Sequence, residues 1–145
     1  MAKKTRTTTW IQTILEEASK LESSNGKNLM HQCGKECSKT SKFLIGAQKI
    51  RKQYKDEHDP DILFRAFKEQ YYNNSNLTKD GNIITLIFTE CTCPLVKDGV
   101  TNHFLCHCTA GFTKNIFETL FDRTIEVTIA HSILRGASFC KQVIK

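Results

Sequence analysis

Apolar residues recur at helical spacing through the first half of the chain and at strand spacing through much of the second. Trp10, Ile14, Ala18 and Leu21 fall on one helical face, which predicts an amphipathic helix over Thr9–Glu22. Ser23-Ser24-Asn25-Gly26 ends it. A second helical segment is expected from near Lys27. It carries His31, Cys33 and Cys37, breaks around Ser38–Ser41, and continues through Phe43, Leu44, Ala47, Ile50 and Tyr54. Asp59-Pro60 is a helix start, because Asp caps the first turn and Pro fits inside it. That helix carries Ile62, Leu63, Ala66, Phe67 and Tyr71.

Asn73–Asn82 is polar and turn-rich and closes on Asp80-Gly81. The period then changes. Ile83–Glu90 is β-branched and apolar and reads as a strand. Pro94–Asn102 is a loop, and His103-Phe104-Leu105 resumes a strand. A helix follows over Phe112–Phe121. Thr124–Ile129 alternates as a half-buried strand, Ile133–Gly136 connects, and Ser138–Ile144 is the last strand. The fold class expected is α+β, with N-terminal helices packed on a mostly antiparallel sheet of about four strands. One domain over 1–145 is expected, with a helical half at 1–72 and a sheet half with one helix at 82–145.

Composition changes this picture little. A chain of 145 residues with 39% hydrophobic and 25% charged residues suits one globular domain. The net charge of +6 comes from scattered Lys and Arg, so it reads as a solvated basic surface, and nucleic acid is not an expected partner. Lys3, Lys4 and Arg6 precede a segment carrying Glu16 and Glu17, which is no signal-peptide core. No apolar run approaches the roughly 18 residues of a membrane span. A cytoplasmic protein with reduced thiols is therefore expected. An odd count of seven cysteines also argues against a complete disulfide framework.

The cysteines carry the candidate chemistry. Four sit in two Cys-x-Cys pairs, Cys91-Thr92-Cys93 and Cys106-His107-Cys108. The simplest geometry is an antiparallel hairpin with Cys91 opposite Cys108, Cys93 opposite Cys106, and all four thiols on one face. Its corners are too far apart for one metal: a Zn–S bond is only about 2.3 Å, whereas i,i+2 positions on a strand are roughly 6.7 Å apart. One opposed pair reaches, and the rest of the shell must come from elsewhere. Cys33 and Cys37, at i and i+4 of a helix, lie about 5–6 Å apart. Cys33, Cys37, Cys93 and Cys106 are thus the expected metal ligands, with Cys91, Cys108 and Cys140 as further candidate thiols. Zinc is the first choice for a four-thiolate set, with an iron–sulfur cluster the second. A thiolate beside an imidazole is the other chemistry available, but His107 and His103 point away from the thiol face of a strand. His31 and His131 approach from other elements. Arg135, just before Gly136, is a candidate for an anionic ligand, and His131 is the second candidate ligand-binding residue.

A resemblance adds to this reading. Cys91-x-Cys93-Pro94, Cys106-x-Cys108-x-x-Gly111, Ser132-Ile133-Leu134-Arg135-Gly136 and Cys140 follow one another as in a family of uncharacterised bacterial proteins. Cys33-Gly34-Lys35-Glu36-Cys37 resembles that family's N-terminal cysteine pair, so the likeness spans roughly residues 30–145. The last sixty residues or so are more distantly similar to the 4-vinyl reductase domain and to hydrolases of 2-amino-thiazoline-4-carboxylate. The resemblance implies a fold like the haem nitric-oxide-binding and Golgi-transport domains, with a ligand cavity between helices and sheet. His131 stands where the distant relatives often carry an acid, and Gln142 where they carry an aromatic.

The expectation is a metal-binding, small-molecule-binding or sensing domain holding zinc through thiolates. A hydrolase of small substrates using a cysteine thiolate or metal-bound water is the alternative. A reduced cysteine-rich domain that binds neither is the third. A small-molecule ligand is the expected partner, a homodimer is left open, and no membrane partner is expected.

Overall fold

The computed structural model describes residues 5–22 and 24–145. Lys3, Lys4 and Ser23, used above, lie outside the described residues. Among the described residues, six α-helices and a four-stranded antiparallel sheet form an α+β fold. The helices are α1 (Arg6–Ser19), α2 (Asn25–Ser38), α3 (Lys42–Gln53), α4 (Pro60–Tyr71), the short α5 (Pro94–Lys97) and α6 (Cys106–Phe121). The strands are β1 (Leu77–Asp80), β2 (Ile83–Phe88), β3 (Val127–His131) and β4 (Cys140–Ile144), in spatial order β1-β2-β4-β3.

Local chemistry sets the element ends. Thr5 and Thr8 close a reciprocal capping box at the start of α1. Ser41 accepts from the Phe43 amide, which restarts the helix after the expected break at Ser38–Ser41. Asp59 accepts from the Asp61 amide with Pro60 in the first turn, as its sequence predicts. Gly81-Asn82 makes the two-residue turn between β1 and β2, with Gly81 at φ +58°, a conformation that glycine reaches without steric cost.

The main core lies between α3, α4, α6 and the sheet. Leu44, Ala47 and Ile50 of α3, Leu63 and Phe67 of α4, Ile116, Phe117 and Leu120 of α6, and Leu86 and Ile144 of the sheet are its buried members. Leu15, Met30, Val100 and Leu105 form a second cluster, against which Cys93, Cys108, Phe104 and Leu134 pack.

Helices α2 and α6 cross at backbone contact. A Cβ on Gly34 would lie 1.9 Å from the Cys108 carbonyl oxygen, and one on Gly111 would lie 2.4 Å from that of His31. Neither position admits a side chain, so both glycines stand inside helices despite their poor propensity.

The expected cysteine hairpin is not formed. β2 ends at Phe88, Cys91 and Cys93 lie in an irregular connection, and Pro94 opens α5. His103–Leu105 is a turn of 3₁₀ helix running into α6, which begins at Cys106 rather than at Phe112. Gly111, which resembles a breaker, is a helix-crossing residue, and Ala110, Thr113, Phe117 and Leu120 continue one buried helical stripe. The face-to-face pairing of Cys91 with Cys108 and Cys93 with Cys106 therefore falls. The sheet still has four strands, because the stretch expected to be a turn, Asn73–Asn82, contains β1. β3 also begins three residues after the expected Thr124.

Candidate functional site

One cavity of about 170 Å³ gathers most of the thiols. Cys37 comes from α2, Cys91 and Cys93 from the connection after β2, Cys106 and Cys108 from the first turn of α6, and Cys140 from the start of β4. Phe88, Phe112, Ile129 and Leu134 supply apolar wall. Glu90 and His131 are the lining residues with ionisable side chains other than the thiols. Cys33 does not line the cavity and is exposed on α2. All seven cysteines are free.

Close crossing of α2 on α6 brings Cys37 to this site, since Gly34 seats the helix against the Cys108 carbonyl. On the opposite wall, the Ser132–Ile133 turn holds two sulfurs. Cys106 Sγ lies 3.1 Å from the buried Ser132 Oγ, and the Ile133 amide donates to Cys140 Sγ at 3.3 Å. Ser132 has no signal in the sequence that marks it as a site residue.

Burial acts on three of the cavity thiols, Cys91, Cys106 and Cys108. It raises Cys106 above the ordinary thiol range, against the opposing pull of the Ser132 hydrogen bond and the Arg135 charge. Burial raises Cys91 as well. Cys108 is pushed up to about 12 by burial, and then by the neighbouring Cys37, Cys33 and Cys93. At Cys91, Cys106 and Cys108 burial thus favours the neutral thiol over the thiolate.

The expected quartet is not brought together. Cys93 and Cys106 share the cavity with Cys37, but Cys33 stays outside it. Among the described residues, no group of three or more His, Cys, Asp or Glu side chains is placed to hold a metal ion. The residues do not fit a resident tetrahedral four-thiolate zinc site in this geometry, because its ligands must stand at about 2.3 Å around one point.

The histidines and Arg135 sit differently. His131 is exposed at the cavity margin, with its ring 4.8 Å from that of Phe139. Arg135 lines a separate cleft of about 310 Å³, together with Lys27, His31, His107 and Glu126. In that cleft the rings of His31 and His107 are 6.4 Å apart, and Phe104 meets His107 edge-on at 4.8 Å. Burial, then the charges of Lys27, Arg135, His31 and His103, lowers His107 to about 4. His107 thus turns away from the thiol cavity, as expected, although from a helix and not from a strand. Among the described residues, no thiol makes a hydrogen bond to an imidazole.

The chain belongs to a family of unknown function (DUF6144), whose profile matches residues 1–145. No curated protein matches the chain. No described helix is long and apolar enough to cross a membrane.

Proposed function

We propose that the protein binds a small molecule in the thiol-lined cavity and acts as a binding or sensing domain. The observation that carries this reading is the convergence of six of the seven cysteines, from four separate segments, on one largely apolar cavity. Apolar walls with a few convergent polar groups are the usual composition of a ligand site. Thiols whose neutral form burial favours, as at Cys91, Cys106 and Cys108, suit a receptor for a ligand that packs against sulfur or displaces its proton. They do not suit a resting nucleophile, which needs a lowered pKa or a base at hydrogen-bond distance. The hydrolase reading is weaker for that reason.

Thiolate-bound zinc remains the second reading, favoured by the number of thiols alone. Cys91 and Cys106 each lie within electrostatic reach of the other, of Cys93 and of Cys140. A metal shell built from them requires the Cys91–Cys93 connection to draw in.

The test is native mass spectrometry and metal analysis of untagged protein, with site-resolved alkylation of the thiols. The reading expects a retained or added ligand to shield cavity thiols while Cys33 stays reactive. Zinc retained and lost in Cys93→Ser and Cys106→Ser would favour the second reading. Seven thiols reacting at one rate, in protein that takes up nothing, would remove both.

A further inference from the structure

The thiol cavity adjoins a second space across a common wall. A second apolar cavity of about 190 Å³ shares Phe88, Thr109 and Phe112 with it. This second space lies between α6, α3 and α4 and the sheet. Phe67, Leu86, Ile116 and Phe117 line it, and the tilted pair Phe43 and Tyr72, 5.1 Å apart, stands at its far side. Each space alone is smaller than the roughly 300 Å³ at the lower end of ligand sites, and the two together exceed it. No charged side chain lines the second space, and Glu90 is the one carboxylate in the first.

A polar anchor stands where the spaces meet. Gln142, 4% exposed, lines the thiol cavity, and its Oε1 accepts from Thr113 Oγ1, which lines the second space, at 2.6 Å. Among the described residues its Nε2 has no protein acceptor, yet no fully enclosed side-chain nitrogen or oxygen is left unsatisfied. The amide nitrogen therefore borders the open cavity and has a donor to offer. A ligand acceptor that enters the cavity would take this donor, and a ligand that covered it without pairing would leave it unsatisfied at a cost.

From this arrangement we infer that the ligand is a neutral, elongated molecule with one hydrogen-bond acceptor. Its acceptor takes the Gln142 amide beside the thiols, and its apolar tail passes Phe88, Thr109 and Phe112 into the second space. A carboxylate or phosphate head is disfavoured, because among the described residues Glu90 lines the first cavity and no Lys or Arg does, Arg135 lining the neighbouring cleft instead. This inference rests on the binding role proposed above and adds the ligand class to it.

The probes are 2-ketones from 2-butanone to 2-nonanone, measured by calorimetry and by protection of Cys106 and Cys140 from iodoacetamide. Burying each added methylene is expected to tighten binding by about fourfold until the second space is filled. Thr109→Phe, which plugs the neck, flattens the series. Gln142→Leu weakens ketones by roughly tenfold while leaving matched alkanes unchanged. Wild-type affinity that ignores tail length, or a rise that survives Thr109→Phe, would overturn the inference. If ketones show no such trend but zinc or another ligand still shields the thiols, the binding role stands and the ligand class alone falls.

Discussion

Gly34→Ala tests the packing that assembles the site. The new methyl group would start 1.9 Å from the Cys108 carbonyl oxygen and 2.6 Å from the Phe112 amide nitrogen. Ordinary contact begins near 3.4 Å, so α2 and α6 must separate by roughly 1.5 Å along that line. The atoms in the way are backbone atoms of a helix, which cannot rotate aside. Overpacking of this kind costs about 1–3 kcal/mol, and more where nothing yields. The helix-propensity gain of alanine over glycine offsets about 1 kcal/mol of it. A net loss of about 2 kcal/mol is expected. With a urea slope of roughly 2 kcal/mol/M for a domain of this size, the unfolding midpoint should fall by about 1 M at unchanged slope. Gln32→Ala, on the exposed side of the same helix, should move it little. The same separation loosens the wall between Cys37 and Cys108, so Cys108 should alkylate faster in the variant. A Gly34→Ala midpoint equal to or above wild type would refute the backbone contact and the way it places Cys37.

Other predictions follow from the site. His107 sits at about 4, below its unfolded value near 6.5, so the unfolded chain binds more protons between these values. Stability is then fully present above about pH 6.5 and lost as pH falls through 4. Discounted for the partial solvent exposure of the ring, the loss is about 1–2 kcal/mol, and His107→Gln should remove that slope in urea titrations at each pH. Ser132→Ala removes a hydrogen bond that holds Cys106 down, so the Cys106 alkylation profile should move to higher pH. Exposed Cys33 and Cys37 should react with iodoacetamide before half-buried Cys106 and Cys108, read by peptide mass mapping. Asp59→Ala should cost about 1 kcal/mol through loss of the α4 cap, read by thermal unfolding.

The helical half is legible because each helix carries both a period and a punctuation mark: Asp59-Pro60 before α4, and Ser41 before α3. The cysteine region misleads for a physical reason. Cys-x-Cys spacing beside His103-Phe104-Leu105 imitates strand alternation, while the helical stripe that overrides it appears only when Ala110, Thr113 and Phe117 are counted together. Gly34 and Gly111 resemble helix breakers but are demanded by a crossing partner that lies more than seventy residues away along the chain. β1 hides in polar residues because Leu77 is its one fully buried side chain. The number of the thiols and their clustering along the chain could be read directly. Cys37, Cys93 and Cys106 are expected around one point and do line one cavity, but the α2–α6 packing and the start of β4, which leave Cys33 outside it and bring Cys140 in, could not be read. Ser132 and Gln142 acquire their roles from those same contacts.

The most direct test of a shared thiol cavity is bridging by phenylarsine oxide in a Cys33→Ser variant, with the linked peptides mapped by mass spectrometry. Each arsenic joins two sulfurs and releases one water, so a bridge forms only where two thiols lie close together. The account predicts bridges between segments distant in sequence, above all between Cys106 and Cys140, held by the Ser132–Ile133 turn. Absence of any bridge, or bridges confined to neighbours such as Cys91 with Cys93, would contradict it.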